Sequence, residues 1–435
     1  MAGLANPLNL LAFFNLKYIS LIFIVLVFIF LTYKVRMAWF LFFLSFPLWI
    51  SSDIRIPFLT FFGLPICTLF LIPITIHFFI YIFIEKLKIP VNMDLIFPLL
   101  FFSLLLFTTL YGNISLKGPG FDRLIKILIG ISLYFLIFIS LDISDCSELF
   151  KTLLVATLLL TIYLIIMYFF VWKVNILGGN LLVPSVWGKN QLAIFLAIIL
   201  PMAFSLWVDS NKFSGFILTI IFEISLILTQ SRAGLISANI GLISILLLSK
   251  RRYKSVMQIL FLITTLLLIF NFIPSNLKDV ILLRILSVIY MKDLQTGYHS
   301  IELRILMDQI SLRIFSENPI LGIGIGKFQD VIPWGIPHND YLWILLEGGI
   351  ITFAVFFIFC FSLLVRSYKT IRNIELTLEK SSESWIYRGL FGALVSVLIM
   401  FYSMAMHDTL PTWFVFGLVA ALNKKGLNQK EVFNA

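Results

Sequence analysis

The sequence predicts an all-α, polytopic integral membrane protein with about twelve to fourteen transmembrane helices. Its 435 residues are 60% hydrophobic and 12% charged, which is about half the charged fraction of a soluble globular protein. The apolar residues form repeated runs of roughly 18 or more, long enough for a helix to cross a hydrocarbon core of about 30 Å. They do not alternate with polar residues, as the shorter strands of a membrane barrel would.

Apolar runs can be followed along the whole chain. They lie at about 18–34, 37–51, 58–84, 94–111, 121–141, 149–172, 189–208, 213–230, 232–249, 255–273, 341–365, 386–404 and 410–422. A possible half-span at 8–17, and two prolines in the third run, Pro65 and Pro73, leave the exact number of helices open.

Basic clusters give the second half of the chain an orientation. They occur at 250–254, in the loop 366–388 and at 424–425. They recur at alternate ends of successive spans, as cytoplasmic loops do. This arrangement explains the net charge of +10 without nucleic acid as a partner.

The same orientation places 173–188, 274–340 and Met406–Leu410 outside the cell membrane. The loop 274–340 is the long extramembrane segment, and we expect short helices in it at Leu283–Tyr290 and Ile301–Phe315. Long loops between spans often carry function.

Arginines at the external face are the first candidates for a site. Arg232 lies in LTQSRAGL, directly before a span, and Arg304 and Arg313 lie in SIELRILMDQISLRIF. A guanidinium keeps its charge and binds phosphate oxygens in a bidentate manner, so these arginines suit a lipid-linked diphosphate. Two structural alternatives stay open: Arg232 as an interfacial side chain, and Arg304 paired with Asp308 at helical spacing.

The segment PHNDYLWILLEGGIIT opens the span after the long loop. An imidazole at this interface, His338, can act as a base or as a hydrogen-bond partner near neutral pH. Alternatively, the segment is a helix start capped by Asn339 or Asp340. Glu347 lies deeper, where it either anchors neighbouring helices or takes part in the site. His407–Asp408, in another external turn, are placed to line the same cavity.

Several other chemistries are not supported by the sequence. The glycines of NPILGIGIGKF, residues 318–328, predict a tight turn with close backbone approach, because the Walker spacing fails and no Ser or Thr follows Lys327. No HExxH motif and no clustered Cys and His residues indicate a metal, and no GxSxG motif indicates a serine hydrolase. We therefore expect neither a metal nor a cofactor.

Taken in order, WGKNQLAIFLAIILPMAF, TQSRAGL, the arginine-bearing helix, NPILGIGIGKF and PHNDYLWILLEGGIIT resemble the O-antigen ligase and polymerase superfamily. Its members are membrane glycosyltransferases that use undecaprenyl-diphosphate-linked glycans. The resemblance covers a catalytic region at 185–365, between N-terminal helices at 1–184 and C-terminal helices with a cytoplasmic tail at 366–435. The spacing from His338–Asn339 to Gly348 and Thr352 is similar to that of ligases, although polymerases have similar stretches.

The resemblance implies a GT-C-like fold with a periplasmic loop and an active site facing the periplasm of the bacterial inner membrane. It implies transfer of a polysaccharide from undecaprenyl diphosphate to a hydroxyl of lipid A–core oligosaccharide. A polymerase joining lipid-linked repeat units and a lipid-linked sugar flippase are the alternatives. Carried over by position, Arg232 and Arg304 hold the diphosphate, and His338 orients or deprotonates the acceptor. The further residues expected to bind substrate are Lys189, Arg313, Asn339, Asp340 and Glu347.

Overall fold

A computed structural model describes residues 25–50, 60–61, 64–85, 92–111, 119–141, 143–166, 186–249, 252–271, 278–279, 282, 300–332, 336–377 and 384–433. The chain forms two compact units, Met1–Ile89 and Pro90–Ala435. Each unit is described by itself below. The predicted helix at Leu283–Tyr290 lies outside the described residues.

The first unit contains short helices and one small hairpin. Its elements are α1 (Val25–Tyr33), α2 (Val35–Ser45), a 3-10 helix (Phe46–Ile50), β1 (Thr60–Phe61), β2 (Leu64–Pro65), a second 3-10 helix (Ile66–Phe70) and α3 (Leu71–Glu85). Two aromatic side chains of α2, Trp39 and Phe42, pack edge to face with ring centroids 5.8 Å apart. This unit therefore has an aromatic core of its own.

Three apolar runs predicted as spans in the first unit differ from the structure. The runs 18–34 and 37–51 contain two helices that meet at an angle of 111°. Together these two helices are long and apolar enough to count as one candidate span. The helix is interrupted at Lys34, whose φ of −105° and ψ of 60° are not helical. In the run 58–84, the hairpin takes up the first part, and the candidate span Cys67–Ile84 begins in the 3-10 helix that follows the hairpin. Pro73 lies in the first turn of α3.

The second unit is helical throughout its described part. Its elements are α4 (Met93–Tyr111), α5 (Pro119–Ser140), α6 (Ile143–Ile166), α7 (Val186–Ser210), α8 (Phe213–Leu228), α9 (Arg232–Leu248), α10 (Arg252–Asn271), α11 (Ser300–Glu317), α12 (Lys327–Val331), α13 (Asp340–Thr377), α14 (Ser384–Met400) and α15 (Leu410–Phe433). The predicted helix at Ile301–Phe315 is confirmed by α11.

The helix lengths confirm a polytopic membrane protein. Within the described residues, 6 helices are long and apolar enough to cross a membrane, or 7 with the bent pair of the first unit. Further apolar helices of 10–17 residues accompany them. Large apolar side chains on these helices face outwards, such as Phe107, Leu247 and Phe361, which are 54%, 68% and 58% exposed. Such a surface suits lipid rather than water.

Close contacts between small residues set the register of three central helices. A Cβ added to Gly241 of α9 would lie 2.7 Å from the carbonyl oxygen of Gly392 of α14 and 3.1 Å from Pro201 of α7. Nearer the start of α9, Gly234 approaches Ala193 of α7. The helices α7 and α9 are therefore parallel. Small residues at helix crossings allow this close packing within a membrane.

The helix α14 runs antiparallel to α7, because Gly389, near the start of α14, approaches Met202, which lies further along α7 than Pro201. The starts of α7 and α9 consequently lie at the same end of the unit as the end of α14. The turn 401–409 follows α14 directly. We call this end of the unit the turn end.

Buried ion pairs mark the opposite end. Arg366, late in α13, pairs with Asp94 at the start of α4, and Arg388 at the start of α14 pairs with Asp209 at the end of α7. The sequence predicts that ionisable residues gather on one face, whereas the structure has buried charges at both ends. The residues predicted for the site nevertheless belong to elements of the turn end, as described below.

Candidate active site

The start of α13 is built around its cap. Asn339 Oδ1 accepts a hydrogen bond from the backbone N–H of Leu342 at 3.2 Å, which confirms the predicted capping role of Asn339. His338, one residue before the cap, is half-buried. Asp340, one residue after it, is completely buried. Two polar side chains only two positions apart thus have different environments.

The carboxylate of Asp340 is bound by the turn 401–409. Asp340 Oδ2 accepts hydrogen bonds from the backbone N–H groups of Met406 at 2.5 Å and His407 at 2.8 Å. Asp340 Oδ1 lies 2.6 Å from His407 Nδ1. The backbone N–H of Asp340 donates to the carbonyl oxygen of Phe401 at 2.7 Å. The first residue of α13 is therefore joined to the turn by four contacts.

Arg123 of α5 connects these elements from the other side. Its Nη1 lies 2.6 Å from Glu347 Oε1, its Nη2 lies 3.0 Å from His407 Nε2, and its Nε lies 3.4 Å from Asp408 Oδ2. The guanidinium carbon lies 3.6 Å from the centre of the Trp343 ring. Arginine suits this position because a planar guanidinium stacks on an aromatic ring and donates to several partners at once.

These contacts fit one tautomer of the neutral His407 ring. A guanidinium has no hydrogen-bond acceptor, so the 3.0 Å contact with Arg123 requires the lone pair on His407 Nε2. The ring proton then lies on Nδ1, which donates to Asp340. We call Arg123, Asp340, Glu347, His407 and Asp408 the polar cluster.

The glycine-rich turn docks onto a break in α13. Gly349 has φ 71° and ψ −179°, so the helix is interrupted there. Three backbone hydrogen bonds bridge the two segments: Ile323 N–H to Leu346 O at 3.0 Å, Gly324 N–H to Glu347 O at 2.9 Å, and Ile350 N–H to Pro319 O at 2.9 Å. The break thus frees carbonyl groups of α13, and the turn satisfies them.

The predicted tight turn is confirmed by its backbone angles. Gly322, Gly324 and Gly326 have φ of 68°, 87° and 82°, values that L side chains rarely adopt. The turn also reaches the polar cluster, because the backbone N–H of Gly326 donates to Glu347 Oε1 at 3.0 Å. The conformation of this segment therefore determines where Glu347 and α13 lie.

Arg304 and His338, two of the predicted catalytic residues, lie close together. Burial lowers the pKa of His338 from 6.5 to about 4, and the positive charge of Arg304 contributes to the decrease. Arg304 Nη1 donates to the carbonyl oxygen of Ser403, in the turn 401–409, at 3.3 Å. Burial raises the pKa of Asp308, and the positive charge of Arg304 opposes that rise. The ion pair between Arg304 and Asp308 stays a prediction.

The other predicted cations are distributed over the turn end. Arg232 is the first residue of α9, after a cap in which Ser231 Oγ accepts from the Gly234 N–H at 3.4 Å. Lys189 lies in the first turn of α7, whose start shares this end of the unit. Arg313 lies on α11 and is exposed. The structure therefore brings Arg304 and His338 together and places Arg232 and Lys189 at the same end.

Three residues of the polar cluster fall outside the site residues predicted from sequence. Arg123 could have been identified as a candidate from the sequence, because it is a charged residue within an apolar span. His407 and Asp408 were expected only to line a cavity, and the structure instead gives them buried partners. Burial alone would raise the pKa of Asp408, but Arg123, foremost among its neighbours, lowers that pKa below its ordinary value.

No group of three His, Cys, Asp or Glu side chains that could hold a metal ion is found among the residues described. The fold and this site define a class: a multi-pass membrane protein whose cationic and imidazole groups meet at one end of the helix bundle, beside a network of buried charges.

The family follows from comparison with known proteins. Residues 214–357 match the family described as O-antigen ligase. The resemblance drawn from the motifs is thus confirmed over these residues. The family indicates a membrane glycosyltransferase-like enzyme with lipid-linked glycan substrates. A comparison with curated proteins gave no match.

The matched region contains Arg232, Arg304 and His338, whereas Arg123 and His407 lie outside it. The polar cluster therefore joins the matched region to α5, which precedes it in sequence, and to the turn 401–409, which follows it.

Proposed function

We propose that the protein is an O-antigen ligase that transfers a polysaccharide from undecaprenyl diphosphate to a hydroxyl of lipid A–core oligosaccharide. In this proposal it is a GT-C type enzyme of the bacterial inner membrane, with its active site in the catalytic region 185–365 and facing the periplasm. The observation that carries the proposal is that Arg304 and the half-buried His338, both within the matched residues, are held at the same turn 401–409. Arg304 donates to Ser403 of this turn, and His338 lies two residues before Asp340, which accepts from Met406 and His407.

The reaction needs a base and a group that stabilises the leaving diphosphate. The acceptor oxygen forms a bond to the anomeric carbon of the glycan while the bond from that carbon to the phosphate oxygen breaks. The hydroxyl proton passes to His338, and the electron pair of the broken bond leaves with undecaprenyl diphosphate. With a pKa of about 4, His338 is neutral at pH 7 and can accept this proton.

Cations at the turn end stabilise the negative charge that develops on the leaving diphosphate. Arg304 is placed beside His338, and Arg232 shares the same end of the bundle. A guanidinium stabilises a developing phosphate charge without losing its own proton. Further contacts to the two substrates are proposed for the following residues: Lys189, Arg313, Asn339, Asp340 and Glu347.

The test uses the purified full-length protein in vesicles, with an undecaprenyl-diphosphate-linked glycan and lipid A–core, without nucleotide and with a chelator. We expect electrophoresis to show glycan-bearing lipid A–core. His338→Ala and Arg304→Ala should each lower the rate by about a hundredfold or more. Lys151→Ala, which removes an exposed cation in the first half of α6, is the matched control and should keep the wild-type rate.

The choice of acceptor separates the candidate reactions. A protein that elongates the lipid-linked glycan but leaves lipid A–core unmodified is a polymerase. If the glycan only changes membrane leaflet, the flippase alternative replaces catalysis. Dependence of transfer on ATP or a divalent ion would contradict the proposed mechanism.

A further inference from the structure

The polar cluster holds both proposed catalytic residues through a single turn. His338 lies two residues before Asp340, whose carboxylate and backbone N–H make four contacts with the turn 401–409. Arg304 donates to Ser403 of the same turn. The turn is therefore a shared support for two side chains that lie on different elements, the start of α13 and α11.

His407 is the side chain at the centre of this support. It is 1% exposed, with Nδ1 on Asp340 and Nε2 on Arg123. Its backbone is also fixed, because Trp413 Nε1 donates to the carbonyl oxygen of His407 at 2.8 Å. Such a ring can hold Asp340 in one orientation, in the way that a second hydrogen-bonding group orients a catalytic or metal-binding side chain.

We propose that His407 is a positioning residue that fixes His338 beside Arg304 by holding Asp340, and that Arg123 holds His407 in the tautomer this requires. The inference rests on the proposed transfer reaction. A shift of about 1 Å in a reacting group can cost on the order of a hundredfold in rate. A loss of the contact between His407 and Asp340 should therefore affect turnover more than substrate binding.

The experiment compares two replacements of His407 in the full-length protein. His407→Asn keeps an amide N–H near the place of Nδ1 and so keeps a donor for Asp340. His407→Ala removes the donor to Asp340 and the acceptor for Arg123. We expect kcat to fall at least tenfold in His407→Ala with little change in the KM for the lipid-linked donor, and His407→Asn to recover most of the rate.

The pH profile separates positioning from general loss of structure. The charged and titratable neighbours of His338 identified here are Arg304 and Asp308, which lie on α11. Those of His407 are Arg123, Asp340 and Asp408. If His338 leaves its half-buried place beside Arg304, the acid limb of kcat/KM should move from about 4 towards 6.5. We expect a shift of at least one pH unit in His407→Ala and none in His407→Asn.

Arg388→Gln is the matched control. It breaks a buried ion pair at the opposite end of the bundle and should leave the pH profile and kcat per folded molecule unchanged. If His407→Ala does not fold, His407→Gln replaces it, because its amide can accept from Arg123 near the place of Nε2 but is not placed at Nδ1.

Each outcome decides one question. If the wild-type protein transfers no glycan, the proposed function fails. If it does transfer glycan, and folded His407→Ala or His407→Gln keeps the wild-type kcat and acid limb, the positioning role is wrong. Equal shifts in Arg388→Gln would also overturn that role.

Discussion

The two ends of the second unit differ in how their buried charged side chains are arranged. At the end opposite the turn, Asp94 pairs with Arg366 and Asp209 with Arg388. At the turn end, three carboxylates surround one guanidinium and one imidazole in the polar cluster. Carboxylate–guanidinium pairs are sufficient to join helices within a membrane. A network with surplus acceptors instead fixes the orientation of each member, which a catalytic site needs.

Removal of the central cation should give the largest effect. Arg123→Gln leaves Glu347 buried without its charge partner, and loss of one partner of a buried pair costs about 3–5 kcal/mol. We expect a free energy of unfolding lower by about that amount, and transfer reduced at least a hundredfold per folded molecule. Unfolding of the purified protein in denaturant, followed by helical circular dichroism, measures the first quantity.

The comparison with Arg388→Gln isolates the role of the cluster. This change should destabilise the protein by a similar amount while transfer per folded molecule stays at the wild-type level. If both variants reduced transfer equally, the two ends would not differ in function, and the polar cluster would be a structural feature only.

The break in α13 should give the next largest effect. Gly349→Ala introduces a Cβ 2.1 Å from the carbonyl oxygen of Ile320, at a φ of 71°. The glycine-rich turn would have to move away from α13, and the strain should lower the unfolding free energy by about 1–3 kcal/mol. Transfer should fall more than tenfold, because Gly326 donates to Glu347 from this turn.

A matched glycine variant tests whether the docked turn is responsible. Gly215→Ala also creates a close contact, 2.6 Å from the backbone nitrogen of Trp207, but Gly215 has no positive φ. It should disturb the packing of α8 against α7 and leave both the glycine-rich turn and the break in α13 intact. An equal loss of transfer in both variants would count against a special role for the break.

The helices, the tight turn and the proximity of His338 to Arg304 were within reach of sequence reasoning, because each depends on local patterns or on helix ends that share one face. The polar cluster was not. Arg123 contacts Glu347 across 224 positions and His407 across 284, and no local pattern encodes such distances. The break at Gly349 could not be predicted either. Two adjacent glycines within an apolar run indicate weak helix propensity, but they do not indicate which other segment packs against the helix at that point.

The smallest expected effect is a change in pH dependence. Burial and the charge of Arg304 hold the pKa of His338 at about 4 instead of 6.5. The proposed base should therefore stay active down to about pH 4, where it becomes protonated. Because the unfolded chain binds this proton below 6.5 and the folded chain does not, the stability contributed by this group should also fall as the pH decreases from 6.5 to 4.

The variant Arg304→Gln tests whether Arg304 contributes to the low pKa of His338. Removal of the positive charge should raise the pKa of His338 and move the acid limb of kcat/KM upwards, while burial keeps it below 6.5. The measurement is transfer rate against pH in a buffer series of constant ionic strength, with Arg372→Gln as a control that removes an arginine late in α13. A wild-type acid limb at 6.5, or an unchanged limb in Arg304→Gln, would show that His338 is not the base held beside Arg304.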